Sequence, residues 1–195
     1  MTGVLLPVPR PRPLREVTPW LALALVVWTA GVLVQRSRPV DREVELAGWQ
    51  RSFRELPEAD QRTFRHLREA LPELERLRVE TGRWPTPETM RDEGVEPFRE
   101  DELTTPRVWT LRQHGVYASY VGVPVSDAAA QRWVVLVIEP STNEPAPPED
   151  EEHHTRADGV PVHVTVWSQP NDAEPVPDEV LAFPAAQGFL QRVGR

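Results

Sequence analysis

The sequence predicts an α+β chain: an N-terminal transmembrane helix continuing into a broken amphipathic helix, packed on a small antiparallel sheet. Three observations carry this. An uncharged apolar run lies near the N-terminus, apolar residues recur at helical spacing between residues 41 and 81, and alternating or continuous β-rich runs fill the C-terminal half.

Composition sets the limits. Charged residues make up 27% and hydrophobic ones 39% of 195 residues, enough for one domain with a core after the apolar run. Cys is absent, which excludes disulfides, a thiolate nucleophile and Cys-based zinc ribbons. All 22 basic residues are Arg, and Pro is frequent at 22. From Pro39 onward there are 17 Arg against 29 acids, a net charge of −12. Such a domain is unsuited to nucleic acid and suits a cationic ligand or a basic partner. The chain has no nucleophile elbow, phosphate loop or dinucleotide fingerprint, and nothing fixes two carboxylates at a catalytic spacing. The reading is therefore of a protein that is not an enzyme.

The first element is the apolar run. Trp20 to Val34 carries no charge, and with Val17, Thr18 and Pro19 it reaches a length of roughly 27 Å as a helix. Pro19 suits a first helical turn, Trp20 an interfacial position, and Arg15 and Arg36 bracket the span. No small-x-small cleavage site follows, so an uncleaved signal anchor is preferred to a cleaved signal peptide. The division expected is a short basic cytoplasmic tail over 1–16, a transmembrane signal anchor over 17–36, a helical stalk over 37–82 and an extracytoplasmic sheet domain over 83–195. The Arg count is tied across the two flanks. The basic tail is placed inside, which makes the chain a single-pass protein of a bacterial inner membrane with a periplasmic C-terminal domain.

The stalk reads as interrupted helix. Phe64, Leu67, Leu71 and Leu74 form an apolar stripe, which serves either the core or a partner contact. Pro57 can open a helical segment, Pro72 is expected to kink it, and Gly82 followed by Trp84-Pro85-Thr86-Pro87 ends it. Strands follow. Val108 to Arg112 and Val116 to Val123 flank a His114-Gly115 turn, Trp133 to Ile138 reads as a central strand, and Val160 to Trp167 alternates. The acidic, Pro-rich segment 140–158 is read as a loop, and 178–193 as a tail with a helical turn. Trp109, Tyr117, Tyr120 and Trp133 are expected to pack on the sheet.

One constellation could carry chemistry. Glu151 to His163 holds three of the five His. Taking Asp158-Gly159 as a two-residue hairpin loop pairs Ala157 with Val160, Arg156 with Pro161, and His154 with His163 in a non-hydrogen-bonded position. Glu152 then falls opposite Thr165 on the same face, and Val162, Val164 and Val166 pack inward. His154, His163 and Glu152 would form a site for zinc or manganese, since two imidazoles and a carboxylate suit a borderline divalent ion. A slip of one residue replaces His154 by His153, and a solvated His pair without a ligand is the competing reading.

Two resemblances follow from these residues. The order of an anchor helix, an amphipathic continuation and an antiparallel meander, with the stretch Glu80 to Met90, resembles pilin-like and pseudopilin domains, although no prepilin cleavage motif precedes the span. The acidic His-His segment and the strand after Asp158-Gly159, residues 151 to 167, resemble an uncharacterised family of bacterial single-span envelope proteins encoded near metal-uptake ABC transporters. The second resemblance implies an accessory role in metal import, with an ABC transporter as partner. The first implies a pseudopilin-like subunit of an envelope complex.

Overall fold

The computed structural model describes residues 46–99, 105–126, 130–140, 150–172, 176–179 and 181–194. All of them fall in one compact unit that begins at Leu46. In chain order the elements are β1 (Gln50–Ser52), a 3-10 turn (Phe53–Glu55), α1 (Glu58–Thr81), α2 (Pro87–Asp92), β2 (Arg107–His114), β3 (Tyr117–Pro124), β4 (Gln131–Ile138), β5 (His153–Thr155), β6 (Pro161–Pro170), a second 3-10 turn (Pro184–Gln187) and β7 (Leu190–Val193).

Helix α1 begins after Pro57 with Glu58 and Asp60 in its first turn, where carboxylates complement the exposed N–H groups. Phe64, Leu67, Ala70, Leu71, Leu74 and Leu77 form its buried stripe. The helix runs through Pro72 and stops at Gly82, whose φ of 70° takes the left-handed conformation open to glycine and whose N–H bonds to Arg78 O. Trp84 to Pro87 does more than end a helix. The Thr86 hydroxyl caps α2 by accepting from Thr89 N–H, and Pro87 fills the first turn, where its missing donor costs nothing.

The strands form one seven-stranded sheet in the order β1-β7-β6-β4-β3-β2, with β5 added to β6. The β2–β3 hairpin turns at Gly115-Val116, with Gly115 at φ 58° in the position a type II′ turn reserves for glycine. Strand β4 lies between β3 and β6 and is buried on both faces, which is why it reads as a continuous apolar run. Trp133, Val135 and Val137 join Val162, Val164 and Val166 in the core under the α1 stripe. Val134, Leu136 and Trp167 face the other way, where Leu181 and Phe189 cover them. Trp109, Tyr120 and Trp133 are buried in the helix-side core, and Tyr117 packs half-buried on the other side.

This architecture corrects the predicted fold. The sheet is not a small antiparallel one: it has seven strands and is mixed, because β1 pairs in parallel with β7. Residues 50–52, read as helical stalk, form that edge strand, and the tail contributes β7, which inserts between β1 and β6. The helix is not broken at Pro72. The pilin-like description is therefore withdrawn. Among the described residues no helix is long and apolar enough to cross a membrane. The span expected over 17–36 lies outside the described residues, and so does part of the acidic loop, residues 141–149. The transmembrane, signal-anchor and periplasmic assignments find no support in the described chain and are not carried forward.

Candidate functional site

The predicted site residues lie along the outer edge of β6, where two strands share one partner. β5 pairs with Pro161 to His163, and β7 joins further along at Trp167 and Ser168. Thr165 sits between them. The hairpin joining β5 to β6 differs by one residue from the predicted one. Arg156 N–H bonds to Val160 O and Gly159 N–H to Arg156 O, so the loop is Ala157-Asp158-Gly159. Gly159 takes φ 83°, whereas among the described residues none other than glycine has a positive φ. A two-residue type I′ loop would require Asp158 to have one as well. Asp158 is held instead by Arg156, whose guanidinium donates to both carboxylate oxygens at 2.9 and 2.7 Å. Arg156 is anchored in turn on Glu139, which also receives Arg78 at 2.9 Å. Burial opposes ionisation of Glu139, but Arg78 and Arg156 outweigh it and hold the carboxyl below its usual range.

The longer loop moves the register by one. His153, not His154, stands opposite His163, Glu152 bonds through its carbonyl to Val164 N–H rather than facing Thr165, and His154 pairs with Val162. Bonding at Glu152–Val164 and Arg156–Val160 makes His153–His163 a non-hydrogen-bonded pair, the kind whose side chains approach most closely. Their ring centroids are 4.2 Å apart with planes inclined by 33°. His154 leaves the set: it turns to the helix face, where Nε2 lies 2.7 Å from Glu75 Oε1 on α1.

Around the pair the structure adds two residues that the sequence reading missed. Asp150 Oδ1 accepts from Glu152 N–H at 2.7 Å and His153 N–H at 2.8 Å, and lies 3.0 Å from His153 Nδ1. The backbone donors, Glu152 N–H first, hold its carboxyl below the usual range. An Asp three residues before the first residue of a strand, with its side chain taking the backbone N–H two residues on, is a recognisable Asx-turn signal. Gln191 carries no such signal. It reaches the site only because β7 inserts beside β6, and its amide donates to Glu152 Oε1 at 2.7 Å while its carbonyl accepts from Gln50 at 3.3 Å. His163 Nε2 is buried 3.4 Å from Glu152 Oε2 and makes no hydrogen bond, because the geometry between them is poor. Burial, then the adjacent His153, pushes the His163 pKa down and keeps the ring neutral.

The chain matches a family of unknown function, DUF6162, over residues 50–194. It belongs to that family. The match starts on β1 and ends just past β7, so the DUF6162 region coincides with the mixed sheet and everything packed on it. No curated protein and no solved structure matches the chain.

Chemically, the edge of this DUF6162 sheet offers two imidazoles and a carboxylate. Asp150 on His153 Nδ1 is the outer-shell carboxylate that commonly orients a metal-binding His and leaves Nε2 free. The donor types fit a divalent ion, and His163 supplies an orphaned buried nitrogen. Among the described residues, however, no three His, Asp or Glu side chains already surround one point. Rings this close and only 33° from parallel cannot both aim in-plane lone pairs at one ion, so coordination would turn one of them.

Proposed function

We propose that this domain binds a divalent cation, zinc or manganese, through His153, His163 and Glu152, with Asp150 as the orienting carboxylate. The observation that carries the reading is the juxtaposition of His163, neutral and without a hydrogen bond at Nε2, with a His whose other nitrogen is held by a carboxylate. A neutral imidazole needs no deprotonation before it coordinates. Three protein donors leave a coordination position open, which suits a site that passes an ion on rather than burying it. The resemblance of residues 151 to 167 to proteins encoded beside metal-uptake ABC transporters supports an accessory role in metal import.

The register makes the test specific. Calorimetric titration of the full chain with zinc and with manganese should show saturable binding of at least one ion. His153→Ala or His163→Ala should weaken it at least tenfold, and Glu152→Gln by less. His154→Ala should leave it unchanged, because His154 is on the other face. Equal loss in the His154 and His153 variants, or no heat in the wild type, would overturn the assignment.

A further inference from the structure

Beside the His pair, on the sheet face away from α1, lies a cavity of about 450 Å³. Its walls are apolar: Leu136 and Ile138 of β4, Trp167 of β6, Phe183 and Pro184 around the second 3-10 turn, and Trp49. Trp49 is 54% exposed and Phe183 76%, so two large aromatic surfaces at this opening are left uncovered by the described residues. The polar lining is Gln50, Glu152, His163, Thr165 and Gln191. Among the described residues Glu152 is the one acid in that lining, and the lining includes no Arg.

We infer that this cavity binds a small organic amine: an apolar body against the aromatic walls and an ammonium group on Glu152. Size and composition agree with small-molecule sites, which are mostly apolar with a few placed polar groups. The polar end is biased toward donors. Glu152 Oε1 already accepts from Gln191, while among the described residues the polar neighbour of Oε2 is His163 Nε2 at 3.4 Å, which makes no hydrogen bond, so Oε2 keeps acceptor capacity. The Trp167 indole N–H is taken up by Thr165 Oγ1 at 2.8 Å, so that wall presents an apolar ring face rather than a donor. A half-buried carboxylate without a cationic partner is costly, and an ammonium group offsets that cost while a carboxylate ligand would add to it. Exposed aromatic faces also attract cations, and the net charge of −12 beyond Pro39 favours approach of a cation over an anion.

The inference stands apart from metal binding, but both draw on Glu152, so the test is run without metal. The full chain is titrated calorimetrically in EDTA with phenethylamine, phenethyl alcohol and phenylacetate, three probes of one body and different charge. Phenethylamine should bind saturably and at least tenfold more tightly than the other two. Glu152→Gln should reduce the amine to the level of the alcohol with the melting temperature retained. Phe183→Ala, at an exposed position, should weaken amine and alcohol alike by several-fold. If phenylacetate binds as well as phenethylamine, if the amine preference survives in Glu152→Gln, or if none of the probes saturates, the inference is wrong. Its success or failure in EDTA is independent of the metal titration. If both sites are real, zinc should weaken amine binding, because both use one carboxylate.

Discussion

The buried pair Asp60–Arg107 gives the sharpest stability prediction. Arg107 Nη2 donates to Asp60 Oδ1 at 2.7 Å, with side chains only 2% and 5% exposed. The guanidinium also donates to Thr63 Oγ1 at 3.2 Å, Thr105 O at 2.8 Å and Gln131 O at 3.2 Å. Gln131 N–H lies 3.4 Å from the same Asp60 oxygen, so the pair ties the start of α1 to β2 and β4. Asp60→Ala keeps every carbonyl around Arg107 but removes the carboxylate that its buried guanidinium pairs with at 2.7 Å. Removing one member of such a pair costs about 3–5 kcal/mol, whereas replacing both by apolar groups of similar volume is close to neutral. For a domain of this size the single change corresponds to a fall in Tm of roughly 10 °C. Urea denaturation of Asp60→Ala, Arg107→Met and Asp60→Leu/Arg107→Met measures it, with unchanged m-values required for comparison. The double variant should be more stable than either single one. If Asp60→Ala loses less than about 1 kcal/mol, the charge is being solvated and the reasoning fails.

Two further outcomes follow from particular contacts. A Cβ at Gly122 would stand 2.6 Å from Cη2 and Cζ3 of Trp109 across the β2–β3 pair, so Gly122→Ala should cost about 1–3 kcal/mol by overpacking, and Trp109→Phe in that background should recover part of it in denaturant titrations. The His163 pKa is pushed below 6.5 by burial and by His153, so the folded state binds fewer protons than the unfolded chain as pH falls through 6.5. Stability should therefore be lost on acidification from pH 6.5 down to the lowered value, and Tm in the absence of metal should depend on pH less steeply in His163→Gln. An unchanged slope would show that another group carries the effect.

Legibility followed signal length. The stripe Phe64, Leu67, Leu71 and Leu74, the glycine stop at Gly82 and the apolar run Trp133 to Ile138 span enough residues for periodicity to declare the element, and each is where the pattern puts it. Strands β1 and β7 have three and four residues, too few to alternate, and their pairing joins positions more than a hundred residues apart. Missing them turned a seven-stranded mixed sheet into a small antiparallel one. Pro72 misled for a different reason. The local cost of a helical proline is real, but the helix carries buried Leu71, Leu74 and Leu77 across it, and that packing outweighs the local preference.

The site depended on a smaller quantity, the length of one loop. Asp158-Gly159 invites a two-residue turn, yet Asp158 is engaged by Arg156, which Glu139 and Arg78 hold at the sheet edge. The fork pins Asp158 at negative φ and leaves Gly159 alone to take the left-handed conformation, so the turn needs Ala157 as a third residue. One added residue flips every side chain of β5. His154 goes to Glu75 on the helix side, and His153 comes to His163 on the face that holds the cavity. The ion pairs around Glu139 thus hold the turn that sets which His stands beside His163, although none of them lines the cavity. Weakening that anchor by Glu139→Gln should free the loop to sample the shorter turn, and the histidine signals in NMR should then show exchange between two registers. A single unperturbed set of histidine signals in that variant would mean that the β-strand pairing, and not the arginine fork, sets the register.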